Sequence, residues 1–227
     1  ANNNVNINGF SAHNLNYSAS AAAGGLIGVS GSTTNTTLTH NTLVNIGNNS
    51  KIKALADLAV LSASDTTARV SNGNRAYGIL AFADSRANLR IDGTNNTTVN
   101  QANLEGRNLN VQAIVKNLDV EASANARGAG LIGNIDAHST VDLNGTDATV
   151  VLGGGAYLKA DYVKLDAIFE NVNSSSRSRA HCDGLGGDTD ADATNLMPLV
   201  ARVEANANST IEVYKLDVKS DFDRLNY

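Results

Sequence analysis

Asp183, Asp188, Asp190 and Asp192 stand within ten residues of chain, interleaved with Gly184, Gly186 and Gly187. Carboxylates on a glycine-rich segment offer hard oxygen ligands, which makes these four aspartates candidate Ca²⁺ ligands. Their order matches neither an EF-hand loop nor a repeated G-G-x-G-x-D, and a plain solvated acidic segment is the competing reading. The same stretch, SSSRSRAHCDGLGGDTDADATNLMPLV, holds the only Cys, the only Met and the only Pro. His181 beside Cys182 has the atoms for a soft-metal or nucleophilic pair. Adjacent residues often point apart, however, and no second Cys/His cluster exists. Cys182 reads better as a small buried residue or an incidental thiol, with a crosslink between chains the remaining option. The expectation is an irregular loop inserted at about 174–200 on a regular scaffold, because inserted loops often carry function.

A second candidate is RGAGLIGN, where Gly128, Gly130 and Gly133 satisfy the G-x-G-x-x-G spacing of a dinucleotide-binding turn. That turn occurs once in a nucleotide-binding fold, between a strand and a helix. Here the glycines recur: Gly25-Leu26-Ile27, Gly78-Ile79-Leu80, Gly130-Leu131-Ile132 and, more loosely, Gly184-Leu185-Gly186. The other copies lose the spacing, since Ala23 and Ala76 stand where Gly128 does and Ala81 replaces Gly133. These glycines are packing positions of a repeat, and no cofactor site is expected.

The repeat is about 53 residues long. Segments around Ile52, Leu104, Leu158 and Ile211 align at intervals of 52, 54 and 53 residues, and NLRIDGTNNTTV from Asn88 matches TVDLNGTDATVV from Thr140. Within each copy, aliphatic residues alternate over short runs ending in Asn, Asp or Gly, which is a strand pattern. The composition agrees: 31 Asn and 20 Gly, one Pro, no Trp and ten aromatic residues among 227. Such a chain lacks the bulk for an ordinary core but suits a narrow interior lined by Val, Leu, Ile and Ala. Asn and Gly would form corners, and stacked Asn amides would hydrogen-bond along the axis. The expected fold is all-β, a parallel β-helix over residues 1–227 as a single β-solenoid domain. Each 53-residue unit reads as two coils of some three short strands, which gives eight or nine coils and a rod on the order of 40 Å at the strand spacing.

A net charge of −5 with no basic stripe argues against nucleic acid. No apolar run reaches the length of a transmembrane helix. The chain opens on Ala1 without a signal peptide, as expected of a mature chain or excised fragment. Its last residues still read as a coil, and uncapped solenoid ends invite end-to-end self-association.

The A-x-A-x-A runs, the GAGLIG-like glycines, the strands NVNING and TVDLNG and the SKIKA restarts resemble very large repetitive exoproteins of Gram-negative bacteria. These are the filamentous-haemagglutinin-like and leukotoxin-like filamentous adhesins. The resemblance covers nearly the whole chain and rests on repeat style. It implies a right-handed parallel β-helix, secretion to the extracellular space or cell surface, and attachment to a host glycan or protein or filament building. It supplies no catalytic residue.

Two other functions compete. Parallel β-helices also host polysaccharide lyases and hydrolases, whose sites need carboxylates paired across coils. Asp92 with Asp142 and Asp166 with Asp217 are the pairs on offer, with Arg177 and Arg179 near the expected loop, but aromatic sugar platforms are scarce. Ice binding would use flat Thr ladders, for which TTNTTLT and TNNTTV appear in comparable repeat positions before thinning out later. His13, His40 and His138 lie among Asn, Ser and Thr and read as exposed turn residues. Several N-x-S/T sites, among them Asn35, Asn95, Asn144 and Asn208, arise by chance in so Asn-rich a chain.

Overall fold

In the computed structural model, which describes residues 3–227, every element is a strand. The first turn of chain comprises β1 (Val5–Gly24), β2 (Ile27–Ile46) and the short β3 (Lys51–Lys53), and the second comprises β4 (Asp57–Tyr77), β5 (Leu80–Val99) and β6 (Asn103–Glu105). The third holds β7 (Asn108–Ala129), β8 (Ile132–Asp142) and β9 (Asp147–Leu152), and β10 (Tyr157–Phe169) passes into the fourth. There follow β11 (Val172–Asp183), β12 (Gly186–Leu196), β13 (Val200–Ala205), β14 (Thr210–Phe222) and β15 (Leu225–Asn226).

All pairings are parallel and join one turn to the next. One sheet stacks β1 on β4, β7 and then β10 with β11; the other stacks β2 on β5, β8 with β9, and β12 with β13. The fold is a parallel β-solenoid. The repeat maps directly onto its rungs: Ile52, Leu104, Leu158 and Ile211 are successive partners, as are Asn88 and Thr140.

The coil count differs from the sequence expectation. Ile27 pairs with Leu80, 53 residues on, so one repeat makes one coil and not two. The alternating runs that read as separate short strands are parts of strands about 20 residues long. Inward Leu89, Ile91, Gly93, Asn95, Thr97 and Val99 keep strict parity through glycine and asparagine without a turn. Each long strand spans roughly 66 Å, while four coils rise only about 20 Å, so the body is a flattened slab rather than a rod.

Segment 174–200 also differs. It contains no inserted loop: β11 and β12 continue both sheets in step with β7 and β8, and only the Gly184–Leu185 turn between them and the short link through Met197, Pro198 and Leu199 leave the ladder. It looked irregular because outward Asp188, Asp190 and Asp192 alternate with small inward Thr189, Ala191 and Ala193.

The core lies between the sheets in the middle coils, with Leu58, Leu89, Leu109, Ile135 and Leu158 fully buried. Inward polar residues join one sheet to the other. Asn72 donates to the carbonyl of Arg86 at 2.8 Å, and Asn95 to that of Ile114 at 2.6 Å. The amide donors of both are satisfied inside, while Oδ1 of Asn95 has no partner. Outside, asparagines stack as expected: Asn171 donates to Asn117 at 2.8 Å, and Asn88 to Asn35 at 2.8 Å. Few of them form corners. Among the described asparagines only Asn49 and Asn208, at equivalent corners, take positive φ, where the third coil uses Gly155.

The glycines of RGAGLIG close the edge where the chain crosses from one sheet to the other. A Cβ on Gly130 would lie 2.3 Å from the carbonyl oxygen of Gly78, and one on Gly184 would lie 2.2 Å from that of Gly130. Successive turns therefore nest backbone on backbone. The amide of Leu131 donates to the carbonyl of Ile79 at 2.9 Å, which holds the edge together along the axis.

Candidate functional site

The four candidate Ca²⁺ ligands do not converge. Asp183 ends β11 on one sheet, where it pairs with Arg127 at 2.8 Å and with His181 at 2.7 Å. The Arg127 bond, then the His181 bond, hold its carboxyl below the usual range. Asp188, Asp190 and Asp192 follow on the other sheet, on one outer face of β12. The convergence that does form is one residue short on that face and gains another from β8. Ligand atoms of His138, Asp190 and Asp192 lie within 4.8 Å of one another, with His138 Nδ1 3.4 Å from Asp192. One imidazole and two exposed carboxylates form a mixed nitrogen and oxygen set, closer to what Zn²⁺ takes than to the six to eight oxygens of Ca²⁺. His138 is the member that residue spacing alone did not reveal. It enters because Asp192 is its rung partner, 54 residues on.

His181 and Cys182 point to opposite sides, His181 outward to Asp183 and Cys182 inward between Gly133 and Gly187. The thiol is free and half-buried.

Two further histidines are not turn residues. His13 and His40 point into the first coil from β1 and β2, with ring centroids 4.6 Å apart. His40 lies directly over Gly93, where a Cβ would meet the ring at 2.3 Å. Burial first, and then His13, push its pKa from 6.5 down to about 4, with Asp92 opposing. His13 Nε2, His40 Nδ1 and the hydroxyl of the adjacent Thr66 are all buried without a hydrogen-bond partner.

The carboxylate pairs considered for glycan cleavage are not rung partners. Asp142 stands opposite Arg90, Asp217 opposite Lys164, and Asp166 opposite Lys219. Asp166 is fully buried, held by Lys164 at 2.6 Å and Gln112 at 2.7 Å. The Thr clusters are likewise out of step: TTNTTLT pairs with RANLRID, so no flat Thr ladder forms. Asn95 is buried at 0 % exposure, which closes its glycosylation motif to an enzyme.

Two grooves cross the outer surface. One, of about 840 Å³, is lined by Gly73, Arg75, Arg127, Arg179 and His181 among others. The second, of about 600 Å³, carries the ion-pair rows Lys53–Glu105 at 3.0 Å and Lys159–Glu212 at 3.4 Å. Beside the first groove, the nested glycine edge leaves Leu26, Ile79, Leu131 and Leu185 exposed in a row.

Comparison with family models, with curated proteins and with solved structures found no match. The class therefore rests on the fold: a parallel β-solenoid whose architecture suits a structural module. No helix among the described residues is long and apolar enough to cross a membrane.

Proposed function

We propose that this chain is a structural and adhesive β-solenoid module of an exported or cell-surface bacterial protein, extended by stacking of coil on coil. The observation that supports it is the match between the two ends of the ladder. Val5, Ile7 and Leu38 on the first coil sit above buried Leu58, Val60 and Ile91, yet are themselves only half-covered. At the other end, Ile211, Val213, Leu216 and Val218 sit below Leu158, Ala160, Val163 and Leu165 and are half-covered or exposed. Both faces present the pattern that the middle coils bury, so a further coil completes either one. A coil of a neighbouring molecule and a coil of the same chain meet this requirement equally.

The polar outer faces, ribbed with Asn, Thr and Asp, are the attachment surfaces in this reading, and a host glycan or protein is the partner. Electron microscopy of the chain at rising concentration tests the stacking. End-to-end growth that stops in Val5→Lys and in Val218→Lys supports it. Compact particles of constant size at every concentration reject it. Binding to intact cells, compared with the same variants, tests the adhesive part separately.

A further inference from the structure

The nested edge carries an apolar ridge that the stacking reading does not use. Leu26, Ile79, Leu131 and Leu185 run along its crest, and Ile27, Val29, Phe82 and Ile132 continue it onto the outer face of the β2–β5–β8 sheet. These eight side chains are between 38 % and 91 % exposed. Together they amount to roughly 800 Å² of apolar surface, where the largest patch on a typical monomer is about 300–600 Å². One side of a standard protein–protein interface is also about 800 Å².

We propose that this ridge is a lateral docking surface for a second copy of the same chain, crest against crest. Three features select that occupant. The area alone matches one half of a stable dimer. The crest repeats once per coil along the full height of the stack, and a second stack with the same spacing sets a side chain against every rung. The flanks differ in charge, with Arg75 and the Asp183-paired Arg127 before the ridge and the column Asp84, Asp136 and Asp190, beside Arg86, after it. A uniformly anionic membrane is repelled along the acidic flank. A copy related by a two-fold axis along the stack instead lays each acidic flank on the side of its partner's basic one.

The surface is also pre-formed. Gly78, Gly130 and Gly184 lock the turns backbone on backbone, so the crest residues lose little backbone freedom on docking. Burial of the ridge removes apolar area from water, and the pairing therefore persists in high salt. It is independent of axial stacking, because the ridge lies along the side of the slab and not on its ends.

Sedimentation velocity of the 227-residue chain tests this directly, with Leu26→Asp and Leu131→Asp compared under the same conditions. The expected result is a dimer that each substitution weakens about tenfold or more, with the circular dichroism spectrum unchanged. Val5→Lys and Val218→Lys, which block axial growth, leave the pair intact. Leu131→Cys under oxidation yields a crosslinked dimer, whereas Cys182 in the parent chain does not, and this arm stands if an aspartate variant fails to fold. A chain that stays monomeric, pairing untouched by both aspartates, or ridge-dependent adsorption to phosphatidylcholine vesicles without self-pairing each overturns the proposal.

Discussion

His40 lies against His13 across the interior of the first coil, the two rings tilted by 39° with centroids 4.6 Å apart, and its ring sits over Gly93 of the next coil. A Cβ at position 93 would crowd that imidazole, so a larger residue there requires the His40 ring to shift. The pairing places two imidazoles in one half-closed space, and His13 is among the causes that lower the His40 pKa.

That arrangement predicts acid weakening of the first coil. His40 folds with a pKa near 4 against 6.5 unfolded, so the unfolded chain binds the proton first. Stability is full above about pH 6.5, falls as pH drops toward 4, and stops falling from this source below that. A nuclear magnetic resonance titration should place the His40 midpoint near 4, and His13→Asn should move it upward. A midpoint near 6.5 in the parent chain would contradict the burial described.

Gly130→Ala forces a methyl group onto the Gly78 carbonyl. The expected loss is about 3 kcal/mol, at the upper end for overpacking. Gly73→Ala, where nothing lies within 4 Å, is the control and should leave the melting temperature nearly unchanged. Equal melting of the two variants would show that the edge is not nested.

Asn117→Ala removes the acceptor of Asn171 and the donor to Asp65 at 3.3 Å. Breaking this ladder in the middle should cost about 1 kcal/mol. Chemical denaturation is the measurement, with Asn4→Ala, at the exposed start of another ladder, expected to cost less.

For cations, the mixed donor set predicts that Zn²⁺ perturbs the His138 ring resonances at concentrations where Ca²⁺ does not. Asp192→Asn should abolish the response, and Asp183→Asn should not. A Ca²⁺ response that depends on Asp183 would restore the four-aspartate site.

Much of this architecture was legible in the residues. Ile52, Leu104, Leu158 and Ile211 occupy one rung position in successive coils, and the glycines of GAGLIG occupy another. Period survives in sequence because every coil must bury the same row against its neighbours. The number of coils per period was not legible. Gly73 and Gly93 look like turns, yet both run inside strands, since the extended backbone accepts glycine without bending. The histidines were misread for a related reason. Polar neighbours suggest a turn, but in a strand half of those neighbours face the opposite side. The metal-type cluster stayed hidden because its members lie a full coil apart, and only pairing brings His138 to Asp192.

One coil consumes about 53 residues and advances the stack by a single strand spacing. Small differences in coil length are absorbed locally, as at the bulge between Ser64 and Asp65, and later rungs stay in register, but a partial turn leaves part of a rung without a partner. Growth of such a protein through evolution is therefore quantised: the heritable unit is the complete turn, duplicated or lost as one block of coding sequence, while the breadth of the slab stays the same.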